Sequence, residues 1–212
     1  MSLAKECLIV FTRYPEPGKT KTRLIPMLGA EGAARLQRRM TEKTLTHAKE
    51  LETIRPLVVQ VYFTGGDRNL MQNWLGSDFI YQQQSQGDLG QRMASAFQEA
   101  FAAGMTSAVI IGTDCPDLDV QLIAKAFHLL QLYDLVLGPA EDGGYYLIGL
   151  RQLIPELFVG IPWSTHEVLQ QTIRIAETLD LAITYLPQLK DIDRPDDLVG
   201  RSVFAKLDFL PD

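Results

Sequence analysis

The sequence predicts an α/β protein in which a mainly parallel sheet is covered on both faces by helices. Three observations carry this. Short apolar runs alternate with amphipathic stretches from one end of the chain to the other. The apolar runs are continuous rather than interleaved with polar residues, as strands buried on both faces require. The amphipathic stretches repeat their apolar residues every three or four positions, the period of a helix with one buried stripe.

The elements follow in order. Leu8-Ile9-Val10-Phe11 reads as a buried strand. Residues 30–51 form a helix, with Ala33, Leu36, Met40, Leu45, Ala48 and Leu51 on its apolar side. Residues 57–63 are rich in β-branched and aromatic residues and form a strand. Thr64-Gly65-Gly66-Asp67 ends that strand and can cap a helix running through Leu75. Residues 79–83 give a weaker strand and residues 89–103 a second long helix. Val109-Ile110-Ile111 is a buried strand, 120–132 a helix and Leu135-Val136-Leu137 a strand. Residues 145–150 form a further strand, 165–179 a helix and 182–186 the last strand.

Composition narrows the function classes. The chain reads as one domain over residues 1–212, since no repeat, low-complexity segment or Pro/Gly/Ser linker divides it. Against 26 Asp and Glu stand 20 Lys and Arg, a net charge of -6 that argues against nucleic-acid binding. Cys7 and Cys115 allow one disulfide at most, which fits a reducing compartment. The longest apolar run near the start, Cys7 to Phe11, is far too short for a signal-peptide core or a membrane span. A cytoplasmic enzyme or binding protein without a membrane partner is the expectation. His47, His128 and His166 form no pair with metal-ligand spacing, so zinc is not expected.

In sheets of this kind ligands bind beyond the carboxyl ends of the strands, so the loops that follow strands carry the functional signal. The first is basic. Arg13, Lys19, Lys21 and Arg23 fall within residues 13–23 with only Glu16 opposing them, a local charge of +3 in an acidic chain. Pro15 and Pro17 stiffen the loop, and Gly18 lets the backbone approach a ligand closely. Such a loop suits polyphosphate oxygens, although a solvated charged loop has the same composition. It is not a P-loop, because Gly-x-x-x-x-Gly-Lys-Ser/Thr is absent.

The second loop, Gly112-Thr113-Asp114-Cys115-Pro116, puts a carboxylate at a buried strand end. Asp114 suits Mg²⁺, which commonly bridges one or two carboxylates to substrate phosphates; a turn or N-cap aspartate is the alternative. Asp191-Ile192-Asp193 follows the last strand and could supply a second carboxylate. The third loop, Glu141-Asp142-Gly143-Gly144-Tyr145, offers hydroxyl acceptors and close backbone approach, or is simply a hairpin turn. Gln86-Gly87-Asp88-Leu89-Gly90 opens a helix whose N-terminus can receive an anion or a base edge, unless Asp88 is only its cap.

As an ordered set these segments resemble the nucleotide-diphospho-sugar transferase superfamily. The carriers are Phe11-x-Arg13-x-Pro15-x-Pro17-Gly18-x-x-Lys21-Thr22-Arg23-Leu24, Gly87-Asp88-Leu89-Gly90-x-Arg92-Met93, Gly112-Thr113-Asp114-x-Pro116, Asp142-Gly143-Gly144-Tyr145 and Trp163-Ser164-Thr165. Within that superfamily the chain is similar to the bacterial radical-SAM/selenodomain-associated transferases, over nearly its whole length. Lys21-Thr22-Arg23-Leu24 also looks like the Lys-Ser-Arg-Leu of 2-phospho-L-lactate guanylyltransferases.

The resemblance implies a GT-A type, Rossmann-like three-layer α/β/α sandwich with a mainly parallel, mixed sheet. It implies that Arg13, Lys21 and Arg23 hold phosphates, with Arg13 and Lys21 stabilising charge during the reaction. Gly87, Asp88 and Gly90 would lie against the base, together with Gly18 in the nucleotide site. Asp114 would hold Mg²⁺ or Mn²⁺, with Asp193 as second ligand and Asp191 as its alternative. Asp142, Gly143, Gly144 and Tyr145 would face the sugar or acceptor. The superfamily's Asp-x-Asp metal motif is absent as such, because position 116 is proline.

The leading expectation is a metal-dependent nucleotidyltransferase that couples a nucleoside triphosphate to a phosphorylated small molecule and releases pyrophosphate. A glycosyltransferase using a nucleoside-diphosphate sugar is the alternative. A nucleotide-binding module without turnover is the third reading. The base, the acceptor and the oligomeric state leave no mark in the sequence.

Overall fold

The computed structural model describes residues 5–198; residues 1–4 and 199–212, the two ends of the expected 1–212 domain, lie outside the described residues. Seven strands form one sheet: β1 (Glu6–Arg13), β2 (Leu57–Thr64), β3 (Ile80–Gln83), β4 (Ser107–Ile111), β5 (Leu135–Pro139), β6 (Tyr145–Leu150) and β7 (Ile183–Tyr185). Their order is β3-β2-β1-β4-β6-β5-β7. Every pairing is parallel except those of β6, which runs antiparallel to β4 and β5. The expected mixed, mainly parallel sheet is present.

Five longer helices cover it: α1 (Ile25–Ile54), α2 (Arg68–Leu75), α3 (Leu89–Ala102), α4 (Val120–Leu129) and α5 (Val168–Thr178). Alternation along β1 sorts them into two layers, since successive side chains point to opposite faces. Leu8 and Val10 meet Leu45, Leu51, Met71 and Phe127 from α1, α2 and α4. Cys7, Ile9 and Phe11 meet Met93, Phe97 and Ala176 from α3 and α5. A third cluster, Leu24, Leu36, Met40, Ile192 and Leu198, ties the end of the basic loop and the segment after β7 onto α1.

Local chemistry explains the boundaries. Asp67 and Asp119 cap α2 and α4 through the Leu70 and Leu122 amides at 2.9 and 2.8 Å. Asp88 and Gln91 make a reciprocal capping box on α3. Helix α1 begins earlier than its apolar period suggests, because Thr22–Leu24 forms a 3₁₀ turn leading into Pro26, and Gly29 then breaks the helical dihedrals with φ 69°. The regular helix therefore starts where the period does, near residue 30. Helix α5 starts at Val168 rather than Thr165, since Ser164 takes a left-handed φ of 67° and no helix passes through it.

Phe97 is fully buried and packs on Phe101 and Phe158 at centroid distances of 6.1 and 5.8 Å. Phe97→Ala should cost about 3–5 kcal/mol in urea unfolding, the range for emptying an aromatic core site. A loss below about 1 kcal/mol would mean that α3 is not anchored on the sheet through this ring.

Candidate functional site

Parallel strands β1 to β5 and β7 end at one edge of the sheet, and antiparallel β6 begins there. The three loops singled out in the sequence therefore meet at that edge, with the β5–β6 turn among them because β6 is reversed. Two cavities open side by side. The first, about 490 Å³, is lined by Arg13, Lys19, Lys21, Arg23 and Arg92, against only Asp114 and Asp193 on the acidic side. The second, about 390 Å³, is lined by Asp114, Asp142, Asp191 and Asp193, with Trp163, Tyr145 and Val168 forming an apolar wall. No lysine or arginine lines it. Asp114 and Asp193 stand on the boundary between the two.

A knot of contacts sets this boundary. The Lys21 side chain is only 4% exposed, and its ammonium lies 3.0 Å from Asp114 Oδ2. It also donates to the Ile192 carbonyl at 2.5 Å. The Ile192 amide donates to the Asp114 carbonyl at 2.9 Å, joining the segment after β7 to the end of β4. Lys21 reaches this position with φ 47° and ψ 42°, a left-handed conformation that costs a non-glycine residue about 1–3 kcal/mol. Beside it, Arg23 pairs with Asp193.

Ile192 is fully buried, so in extended chain its neighbours Asp191 and Asp193 face the cavities together. Their environments differ. Asp193 has Arg23, whereas burial and then the Asp142 carboxylate push the Asp191 carboxyl up to about 6, with Asp197 and Asp114 adding to the repulsion. Burial, reinforced by Asp114 and Asp191, pushes the Cys115 thiol up, which suits a packed thiol and not a nucleophile.

The first cavity has a polar floor. Gln37 of α1 directs its side-chain nitrogen at the hydroxyls of Thr12, Thr41 and Thr113, at 3.4, 3.2 and 3.2 Å. All four residues are buried. This network escaped the sequence reading, although Gln37, Thr41 and Thr44 on the apolar stripe of α1 were its available signal.

Of the residues expected at the nucleotide site, Arg13, Lys21 and Arg23 line the first cavity, whereas Gly18, Gly87, Asp88 and Gly90 line neither. The Asp88 carboxylate is taken up by the α3 cap. Gly90 lies under the Trp163 indole, where an added methyl would come within 2.5 Å of the ring. Leu89, Arg92 and Gln84 are the residues of this region that reach the cavity. Asp142, Gly144 and Tyr145 line the second cavity and Gly143 does not, because its α-carbon is pressed against the His166 backbone. Ser164 and Thr165 complete that wall.

The profile of one family, described as uncharacterized protein conserved in bacteria (DUF2064), matches residues 44–165. The chain belongs to this family. A candidate nucleotide-diphospho-sugar transferase from Desulfovibrio desulfuricans G20 is 36% identical to this DUF2064 member. Its structure superposes with a TM-score of 0.87 over 95% of this chain and 90% of that one. Two more distant structures share the GT-A type fold. The 4-diphosphocytidyl-2C-methyl-D-erythritol synthase of Anaerococcus prevotii DSM 20548 has a TM-score of 0.61 at 10% identity, over 92% of this chain and 93% of that one. Glucosyl-3-phosphoglycerate synthase of Mycobacterium tuberculosis, solved with Mn²⁺, UDP and glucosyl-3-phosphoglycerate, has a TM-score of 0.57 at 12% identity, over 98% and 81% of the two chains. No curated protein matches. Among the described residues no helix is long and apolar enough to cross a membrane.

Two predictions follow from the knot and its neighbours. Lys21→Met leaves the Ile192 carbonyl without its donor and should lower unfolding free energy by about 1–3 kcal/mol, read by urea titration. An unchanged midpoint would make Lys21 a purely ligand-binding group. Asp191 binds its proton more tightly folded than unfolded, so it draws stability away as pH rises from its ordinary 3.8 through about 6. In chelator, Asp191→Asn should therefore melt higher than wild type at about pH 7.5 and equal to it near pH 3.5. A variant that melts lower at the higher pH would show that the carboxylate is favourably held.

Proposed function

We propose that this chain is a metal-assisted transferase acting on the phosphate chain of a nucleotide, and that it transfers a nucleotidyl group to a phosphorylated small molecule. The observation that carries the reading is the division of the site, at Lys21–Asp114, into a cationic half and an acidic half. Four or more phosphate charges need the cations of the first cavity, and a triphosphate carries more charge than a nucleotide sugar. An acceptor phosphate oxygen would form a bond to the α-phosphorus while the bond to the β-phosphate oxygen breaks, releasing pyrophosphate. Arg13 and Arg23 would hold the phosphates, with Lys21 beside the reacting group, where fixed charge lowers the barrier without reorganisation.

The donor set supports a divalent cation. Among the described residues, no group of three His, Cys, Asp or Glu side chains is gathered as a ready cage. Mg²⁺ does not require one, since it is usually held by one or two carboxylates plus substrate phosphates. Asp114 and Asp191 are the pair we favour. Asp193 is already paired with Arg23, whereas Asp191 sits among carboxylates whose repulsion a cation would relieve. Bound there, Mg²⁺ or Mn²⁺ would neutralise charge on the transferred phosphate.

The acidic second cavity favours a second reading. Its carboxylates and apolar wall suit a neutral hydroxylated ring, as in glycosyl transfer from a nucleoside-diphosphate sugar, with Asp142, Gly144 and Tyr145 against the sugar.

The test is product analysis. Purified protein is incubated with Mg²⁺, each nucleoside triphosphate and a panel of phosphorylated acceptors, and in parallel with nucleotide sugars. Pyrophosphate release with a triphosphate is the expected result, and nucleoside diphosphate release only from a nucleotide sugar would replace the first reading by the second. Asp114→Ala should reduce turnover by more than about 100-fold, exceeding the loss expected from a merely outer partner of a metal. Tight nucleotide binding without either product, unaffected by Mg²⁺, would leave a binding module.

A further inference from the structure

The ladder between β1 and β4 stops short of the site. Strand β1 is paired with β2 along its whole length, from Glu6↔Leu57 to Arg13↔Thr64. Its pairing with β4 ends earlier, at Val10↔Ile111. Beyond that point each strand follows its other neighbour. The Tyr14 amide donates to the Thr64 carbonyl at 2.9 Å, whereas the Gly112 amide donates to the Tyr146 carbonyl at 3.1 Å. Crevices form at such places, where β1 leads to β2 on one side and β4 leads on to β5 on the other. Continued in register, the ladder would have set Thr12 opposite Thr113 and Arg13 opposite Asp114.

One side chain crosses this opening. Gln37 of α1 is only 4% exposed, and its side-chain nitrogen donates to Thr12 Oγ1 at 3.4 Å and to Thr113 Oγ1 at 3.2 Å. These are the residues that immediately precede Arg13 and Asp114. Thr41, one helical turn along α1, accepts from the same nitrogen at 3.2 Å and shares a 2.8 Å hydrogen bond with Thr12. An amide nitrogen carries two protons, so they are divided here among three hydroxyls. The contact is thus a tie between one helix and two strand ends rather than a single strong bond. Lys21 also reaches Asp114, but from the far end of the basic loop.

We propose that Gln37 is a positioning residue, a strut that replaces the missing ladder and holds Arg13 and Asp114 at a set separation. It thereby couples phosphate binding at Arg13 to cation binding at Asp114. The coupling rests on the nucleotide reading above, whereas the strut itself does not. A nucleotide held through Arg13 and, by way of a divalent cation, through Asp114 gains from both only when their spacing suits both. With the strut removed, each half keeps its charges and loses its register with the other.

Gln37→Met and Thr113→Val keep side-chain size while removing the tie, Thr113→Ser keeps the hydroxyl, and the Gln37→Met/Thr113→Val double variant closes a cycle. Each is compared with wild type at a temperature where circular dichroism shows it folded. Without any ligand, amide exchange in residues 11–14 and 112–115 should run roughly five- to tenfold faster in Gln37→Met and Thr113→Val, with β5 and β7 unchanged. Calorimetry with ATP, CTP, GTP and UTP, with and without Mg²⁺, then reads the coupling. Mg²⁺ should tighten the best-bound nucleotide roughly 5- to 150-fold in wild type and in Thr113→Ser. In Gln37→Met, Thr113→Val and the double variant the gain should fall to about threefold or less, with Mg²⁺-free affinity within about threefold of wild type. Exchange that is unchanged, or faster across the whole sheet, would make Gln37 an ordinary core residue and overturn the proposal. So would equal weakening with and without Mg²⁺, the mark of direct ligand contact, and so would losses that add in the double variant. If no nucleotide binds wild type, the nucleotide reading fails, and the exchange data alone decide whether Gln37 ties the two strands.

Discussion

The architecture of the site depends on one buried ammonium. Lys21 joins three segments distant in sequence: the basic loop after β1, the Asp114 loop after β4 and the segment after β7. It works with the buried Leu24 and the Arg23–Asp193 pair to fix the end of the loop, whereas Lys19 pairs locally with Glu16 at 2.7 Å. A buried ion pair seldom adds much net stability, because desolvation offsets the attraction. Half of this pair remains in water, as Asp114 is 48% exposed, and the ammonium has a carbonyl as second partner. The cost of taking Lys21 out of water is met there by two good acceptors.

Sheet topology then decides what that boundary separates. Strand β5 delivers residues 140–144 to the carboxyl edge, and because β6 turns straight back to pair with β4, the whole turn stays there with Asp142. That reversal places a turn with an acidic residue beside the end of β4, while the segment after β7 adds Asp191 and Asp193. The basic loop stands on the other side because β1 lies between β4 and β2. Charge separation across the cleft is thus a consequence of strand order together with three short loops.

This explains which parts were legible in the sequence. Strands and helices were, because their apolar residues are continuous or periodic, and the Asp67 and Asp88 caps gave boundaries. The three loops were too, because they follow strands in a parallel sheet. What could not be read was which residue of a loop reaches the cavity. Gly87, Asp88 and Gly90 stand out by type, yet the cap and the Trp163 ring occupy them, while Arg92 reaches inward one helical turn later. The preference we propose for Asp191 over Asp193 rests on the position of Arg23, a partner 170 residues away along the chain. Gln37 was hidden because its role is set by three hydroxyls from three other turns and strands.

The unfavourable features of the fold gather at the same edge. Of the non-glycine residues with positive φ among the described residues, Lys21 and Ser164 line the cavities, and Asp180 alone lies elsewhere. Asp191 is held among carboxylates, and Gln37, Thr41 and Thr44 place polar groups in the buried face of α1. A stretch of core optimised for stability would contain none of these. The left-handed φ of Lys21 and the repulsion at Asp191 each cost free energy, and the ligands proposed above, a cation for Asp191 and phosphates for the loop that Lys21 strains, would relieve or use them. Strain and repulsion distributed at random over the surface would carry no such meaning. Concentrated where oppositely charged cavities meet, they support the site proposed at this edge of the sheet.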